Sequence, residues 1–259
     1  MRVRENAVGF VDLGVSLFRR YPRRAALGLI LMTSQAFFYN AIFFTYAMVL
    51  GRFFDVAPER VGIYLVPFAL SNFFGPLLLG RLFDTWGRKP MIALTYALSG
   101  LLLAGAALLF VQGALTAATQ TLAWTIVFFF ASAAASSAYL TVSESFPLEV
   151  RALAIALFYA LGTALGGIAA PWIFGSLIGT GDPAAIGWGY AAGAALMLLA
   201  AAAELWLGVA AERRSLEDVA RPLSCVDEES TITINHHRLS AMTRTATSDS
   251  LRQPKEETK

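Results

Sequence analysis

Charge is what this 259-residue chain has least of: 15% of its residues are charged and 57% are hydrophobic. A soluble domain carries about 25% charge to cover its surface. The shortage is local. Asp, Glu, Lys and Arg are absent from residues 25–51, 61–80, 90–143, 152–181 and 183–203. About 20 apolar residues cross the hydrocarbon core of a bilayer as a helix. Four of these stretches therefore hold one span each. The stretch 90–143 holds two, divided by a polar break at Gln112, Gly113, Thr116 and Thr119. The expected fold is all-α and integral to the membrane, with spans near 25–50, 61–81, 90–111, 120–143, 153–178 and 187–210.

Cysteine and histidine are nearly missing too. Cys225 is the single cysteine, which excludes an internal disulfide and a thiolate metal site. Both histidines, His236 and His237, fall in a polar tail, where a solvated pair is the plain reading. With no histidine in any span to activate a serine, an intramembrane protease of rhomboid type lacks its base. No cofactor, metal or nucleic-acid partner is expected. The segment 211–259 has no aromatic residue, and its nine acids face eight bases. It is expected to be a disordered tail, because it cannot bury enough apolar area to offset its ordering entropy.

What charge there is lies unevenly. Arg2, Arg4, Arg19, Arg20, Arg23 and Arg24 precede the first span; Arg81, Arg88 and Lys89 lie between spans two and three, and Arg151 between four and five. The other side has only Arg52 and Arg60. Basic loops stay cytoplasmic. Both termini are therefore expected inside, in a multi-pass protein of the plasma membrane (a bacterial inner membrane, on its Arg- and Ala-rich composition). Residues 1–24 read as a cytoplasmic lead-in, and residues 25–210 as the transmembrane domain.

Three constellations could carry function. The turn between spans two and three reads Gly80-Arg81-Leu82-Phe83-Asp84-Thr85-Trp86-Gly87-Arg88-Lys89-Pro90. Gly87 permits a tight reversal and Pro90 suits a first helical turn. Between spans four and five stands Glu144-Ser145-Phe146-Pro147-Leu148-Glu149-Val150-Arg151, where Glu144 and Arg151 are placed to pair with each other or with Arg88 and Asp84. In the first span Gln35, Tyr39, Ile42 and Tyr46 share a helical face, while Asn40 lies about 140° from Gln35. A regular helix cannot aim both amides at one ligand, but a broken one could. Uncompensated amides are costly in hydrocarbon, so these two are candidates for substrate contact. Asn72 is a weaker pore-lining candidate. Glu204, the one acid inside a span, is placed to reach the membrane interface. Gly162, Gly166 and Ala170, at four-residue spacing in the fifth span, suit close helix approach, and Pro171 suggests a kink.

The pattern G-x-x-x-D-x-x-G-R-K resembles the signature loop of the major facilitator superfamily, which joins the second and third helices of a six-helix half. E-x-F-P-x-x-x-R and Q-x-x-x-x-N resemble the tenth and seventh helices of its sugar-porter branch. The resemblance covers about residues 10–215 and matches only the C-terminal half of a twelve-helix transporter. It implies alternating-access transport of a small polar metabolite, coupled to a proton. Substrate contacts fall on Gln35, Tyr39, Asn40, Asn72 and Tyr139, and a cytoplasmic gate on Asp84, Arg88, Glu144 and Arg151. Tyr139 stands where the branch often has Trp, Gly162-Thr163 where it often has Asn-Trp, and Phe44-Thr45 where it often has Tyr-Tyr. An organic or aromatic acid is thus as well matched as a hexose. A lone half would turn Gln35 and Asn40 toward lipid at several kcal/mol each. The chain is therefore expected to be a fragment, or to assemble with a missing N-terminal half or a partner chain; a transport-inactive scaffold or sensor is the other class considered.

Overall fold

The computed structural model describes residue 15 and residues 17–208. Most of the lead-in, the tail, Cys225 and both histidines lie outside the described residues. Within them are six apolar helices long enough to cross a membrane. The first span is α1 (Pro22–Ile42) followed by α2 (Tyr46–Phe54). The second, third and fourth are α3 (Pro58–Thr85), α4 (Arg88–Val111) and α5 (Ala117–Ser145). The fifth joins α6 (Arg151–Gly162) to α7 (Ala169–Thr180), and the sixth is α8 (Pro183–Leu207). Most boundaries lie a few residues outside the expected ones, because helices continue into the polar flanks until a cap stops them.

Those caps are local chemistry. Pro58 and Pro183 open their helices at positions where an amide hydrogen is not needed. The Asp182 carboxylate accepts from the Ala184 amide at 2.9 Å, satisfying an orphan donor. Thr116 and Thr119 cap α5 reciprocally through side chain and backbone. Gly87 opens α4 with φ 102°, a conformation that a Cβ resists. The reversal between the second and third spans therefore depends on this glycine.

Two spans are interrupted. In the first, the Thr45 hydroxyl donates to the Ala41 carbonyl, a back-bond of the kind that bends helices, and a turn at residues 43–45 separates α1 from α2. In the fifth, a π-helical turn fills Thr163–Gly167, with the Ile168 amide reaching the Thr163 carbonyl at 3.0 Å. Pro171 alone was expected to bend this span. The irregularity instead comes earlier, at the π-turn, a recognised site of kinks.

The third span packs most extensively on the sixth, and the second on the fourth. The approaches are close where side chains are small. A Cβ on Gly75 would strike the Phe129 carbonyl and the Ser132 hydroxyl of the fourth span. One on Gly166 would stand 2.7 Å from the Phe37 amide nitrogen of the first. Between them sits an aromatic core: the Phe68 and Phe128 rings meet edge to face at 4.3 Å, and Tyr190 meets Trp124 edge to face at 5.1 Å and lies tilted against Phe174 at 5.3 Å. Trp86 and Trp206 near one end, and Trp172 and Trp188 toward the other, are all exposed, as in the aromatic belts of membrane proteins.

Candidate functional site

The middle of the bundle holds amides and phenols and no formal charge. Gln35 is buried on the first span. Its side chain lies near the Tyr139 side chain on the fourth. One turn along, the Tyr39 hydroxyl donates to Asn72 Oδ1 of the second span at 2.6 Å. Four of the five candidate contacts, Gln35, Tyr39, Asn72 and Tyr139, thus come together from three helices. Tyr39 and Asn72 partner each other, which is what makes such groups tolerable in hydrocarbon.

Asn40 does not join them. Its side-chain amide donates to the Ala36 carbonyl of its own helix at 2.7 Å, and it faces Gly167 in the π-turn of the fifth span. The expected helix break exists, but it follows Asn40 instead of separating it from Gln35. The two amides keep their separation of about 140° and serve different neighbours.

Two tyrosines complete the cluster without having been singled out from sequence. Tyr159 on the fifth span lies 6.0 Å from Tyr139, ring centre to ring centre, and both are partly open to the side of the bundle. Tyr96 on the third span is fully buried and donates to the Leu31 carbonyl at 3.0 Å, backing the first span just below Gln35. Neither belongs to a motif. Their spacing is that of ordinary apolar helix positions, and only the packing of four helices reveals them.

The arginine-rich end carries the second cluster. Arg88, at the start of the third span, pairs with Glu144 at the end of the fourth. It also lies 3.7 Å from Asp84, one helical turn back across the loop. Arg88 and Glu144 are 22% and 12% exposed at their side chains, whereas Asp84 is 73% exposed. The Arg88–Glu144 pair is therefore largely desolvated, and breaking such a pair costs about 3–5 kcal/mol. The Asp84 contact is worth only about 0.2–1 kcal/mol. A cavity of 330 Å³ opens beside the pair, between the second and fourth spans, lined by Gly80, Phe83, Asp84, Arg88, Ser136 and Leu140 among others.

Arg151 is not part of this cluster. It makes no ion pair with a described residue, and its Nε has no hydrogen-bond partner. Glu144 pairs instead with Arg88 from the third span. Instead of Arg151, Arg24 from the start of the first span sits here. It donates to the Ser145 carbonyl at 2.8 Å and lies over the Tyr21 ring at 5.5 Å. Glu204 is also placed differently from expectation. It is 1% exposed, its Oε2 has no hydrogen-bond partner, and Lys89 at the start of the third span is a cation that acts on it. Packing of the sixth span on the third buries it.

No group of three or more potential metal ligands occurs among the described residues. The arrangement places amides and phenols in the middle of the bundle and an ion-paired cluster at its arginine-rich end. No curated protein matches the chain. The family model of the Major Facilitator Superfamily matches residues 11–246, nearly the whole length and all six spans; the chain belongs to that superfamily of membrane transporters.

Proposed function

We propose that the chain forms the substrate-binding and gating half of a secondary transporter that moves a small polar metabolite, such as a sugar or an organic acid, by alternating access. The observation that carries this reading is the convergence of Gln35, Tyr39, Asn72 and Tyr139, from three spans, in an otherwise apolar interior. Amides and phenols in that position bind hydroxyl and carboxyl groups through hydrogen bonds and offer ring faces to apolar carbon.

The gate belongs to the same proposal. Asp84, Arg88 and Glu144 lie at the end from which most arginines project, taken as cytoplasmic on the distribution of positive charge. The desolvated Arg88–Glu144 pair is strong enough to bias two packings that differ by a few kcal/mol, and its release would open the cavity beside it. Coupling to a proton is part of the reading by resemblance to symporters of the family. The spans that remain uncovered, the second and fifth, are taken to face a second six-helix body, from another polypeptide or another copy.

Uptake tests this in the cells that make the protein, supplied with labelled sugars and carboxylic acids, with and without an imposed proton gradient. One solute class should enter, faster when the gradient points inward. Gln35→Ala and Tyr139→Phe should each cut that uptake about tenfold, the consequence of removing a hydrogen-bonding group that would meet the solute. If the two variants take up every solute at the unaltered rate, the site assignment falls.

A further inference from the structure

Arg24, Gln35 and Tyr46 stand 11 residues apart along the first span. Eleven residues at 3.6 per turn return to the same face within about 20°. All three turn that face to the fourth span. At the arginine-rich end Arg24 donates to the carbonyl of Ser145, the last residue of α5. In the middle the buried Gln35 lies near Tyr139. At the other end the Tyr46 and Thr121 hydroxyls lie 2.7 Å apart, despite the intervening turn at residues 43–45. The first and fourth spans are antiparallel, and the three contacts form the rungs of one polar ladder between them.

The end rung differs in kind from the others. It joins a cation to the negative end of a helix, where the last carbonyls have no partner within the helix. Ser145 adjoins Glu144, which holds Arg88. The end of the fourth span is thus grasped by arginines from two different helices, one through a carboxylate and one through a backbone carbonyl. Rings support the grasp: Tyr21 meets Phe146 edge to face at 6.1 Å, and Phe146 stacks on Phe158 at 5.4 Å.

We propose that Arg24 is a positioning residue for the binding face of the first span: by seating on the end of the fourth span it fixes the rotation that presents Gln35 to Tyr139, and so ties the gate to the substrate site. The link from substrate site to gate rests on the transport reading above. The rotational role stands on the ladder alone, and its test needs no substrate.

Ser34 adjoins Gln35 and is buried at 2% exposure, so a thiol there is shielded only while the first span keeps its rotation. In a Cys225→Ser background, Ser34→Cys becomes the one thiol of the chain. Its alkylation by N-ethylmaleimide is timed in the purified full chain, together with the melting temperature. With Arg24 in place the thiol reacts slowly. Arg24→Leu should speed alkylation about tenfold, equivalent to about 1.4 kcal/mol, while Arg24→Lys, which keeps a charged donor, stays within about twofold. Rates that match for Arg24 and Arg24→Leu overturn the proposal, as does equal acceleration by Arg24→Leu and Arg24→Lys. So does a fall in melting temperature with no change in rate. If Arg24→Leu yields no folded protein, Arg24→Gln, a neutral donor, should accelerate alkylation about threefold, and an unchanged rate with it sinks the idea. Substrate uptake plays no part in any of these readings, so loss of the transport reading would leave them interpretable.

Discussion

At the scale of single residues, the two clusters of this chain follow one rule: a polar group survives in the bundle where another helix supplies its partner. Glu144 illustrates the cost of removing one. Its carboxylate is largely hidden from solvent and meets Arg88. Glu144→Ala leaves a largely buried guanidinium with only the exposed Asp84 for counter-charge, an arrangement worse by up to about 3–5 kcal/mol. The expected result is a chain that inserts normally but whose uptake falls at least tenfold; surface expression and uptake, measured together, distinguish the two effects. Exchanging the partners (Arg88→Glu with Glu144→Arg) should recover part of the activity. Recovery by neither single change but by the pair would identify the contact itself as the functional unit. Arg151→Ala, in contrast, removes no ion pair to any described residue and should affect uptake less than Glu144→Ala does.

Between helices, close approach replaces polar pairing as the main constraint. Gly166 stands so near the first span that an added Cβ would collide with the backbone at Thr33 and Phe37. Backbone cannot move aside as a flexible side-chain tip can. Gly166→Ala should therefore lower stability by about 1–3 kcal/mol, and Gly166→Leu should prevent the fifth span from docking; thermal melts in detergent read both. Gly80, around which a Cβ meets nothing within 4 Å, is the control: Gly80→Ala should leave the melting temperature unchanged or raised.

The same elements show what sequence could and could not reveal. Six spans were legible because a bilayer demands long charge-free runs. The glycine stripe was legible because small residues at four-residue spacing have few other uses. The Thr45 back-bond and the π-turn at Thr163–Gly167 were not, since neither a single threonine nor a Gly-Gly pair dictates an irregular turn. Asn40 lies apart from Gln35 for that reason: bringing them together depended on where the helix broke. The pairing of Arg88 with Glu144 was among several charge pairings the motifs permitted, and only the meeting of the third and fourth spans selects it. Arg24 was visible only as one of six arginines before the first span. The carbonyl it serves lies 121 residues away.

Across the whole molecule, burial is lopsided. The second and fifth spans bury 17% and 28% of their most apolar windows, whereas the other four bury 44–61%. The two uncovered spans carry Phe73, Leu77 and Leu78, and Leu165, Ile168 and Trp172, all exposed. Apolar side chains alone would sit comfortably in lipid. Asn72 and Tyr159 belong to the same two spans and open toward the polar cluster, and such groups are costly against hydrocarbon unless water or protein meets them. A transporter of this superfamily must also seal its site from one side while opening it to the other, and one six-helix body with an open flank has nothing to seal against. The chain reconstituted at fewer than one copy per vesicle should therefore show no uptake of the solute that the producing cells accumulate. Photobleaching steps of a labelled chain give the copy number, and uptake is scored vesicle by vesicle. Transport confined to vesicles with two copies would make the second body another copy of this chain. Transport by single copies would remove the need for any second body, and with it the physical account of why two spans of six are left so bare.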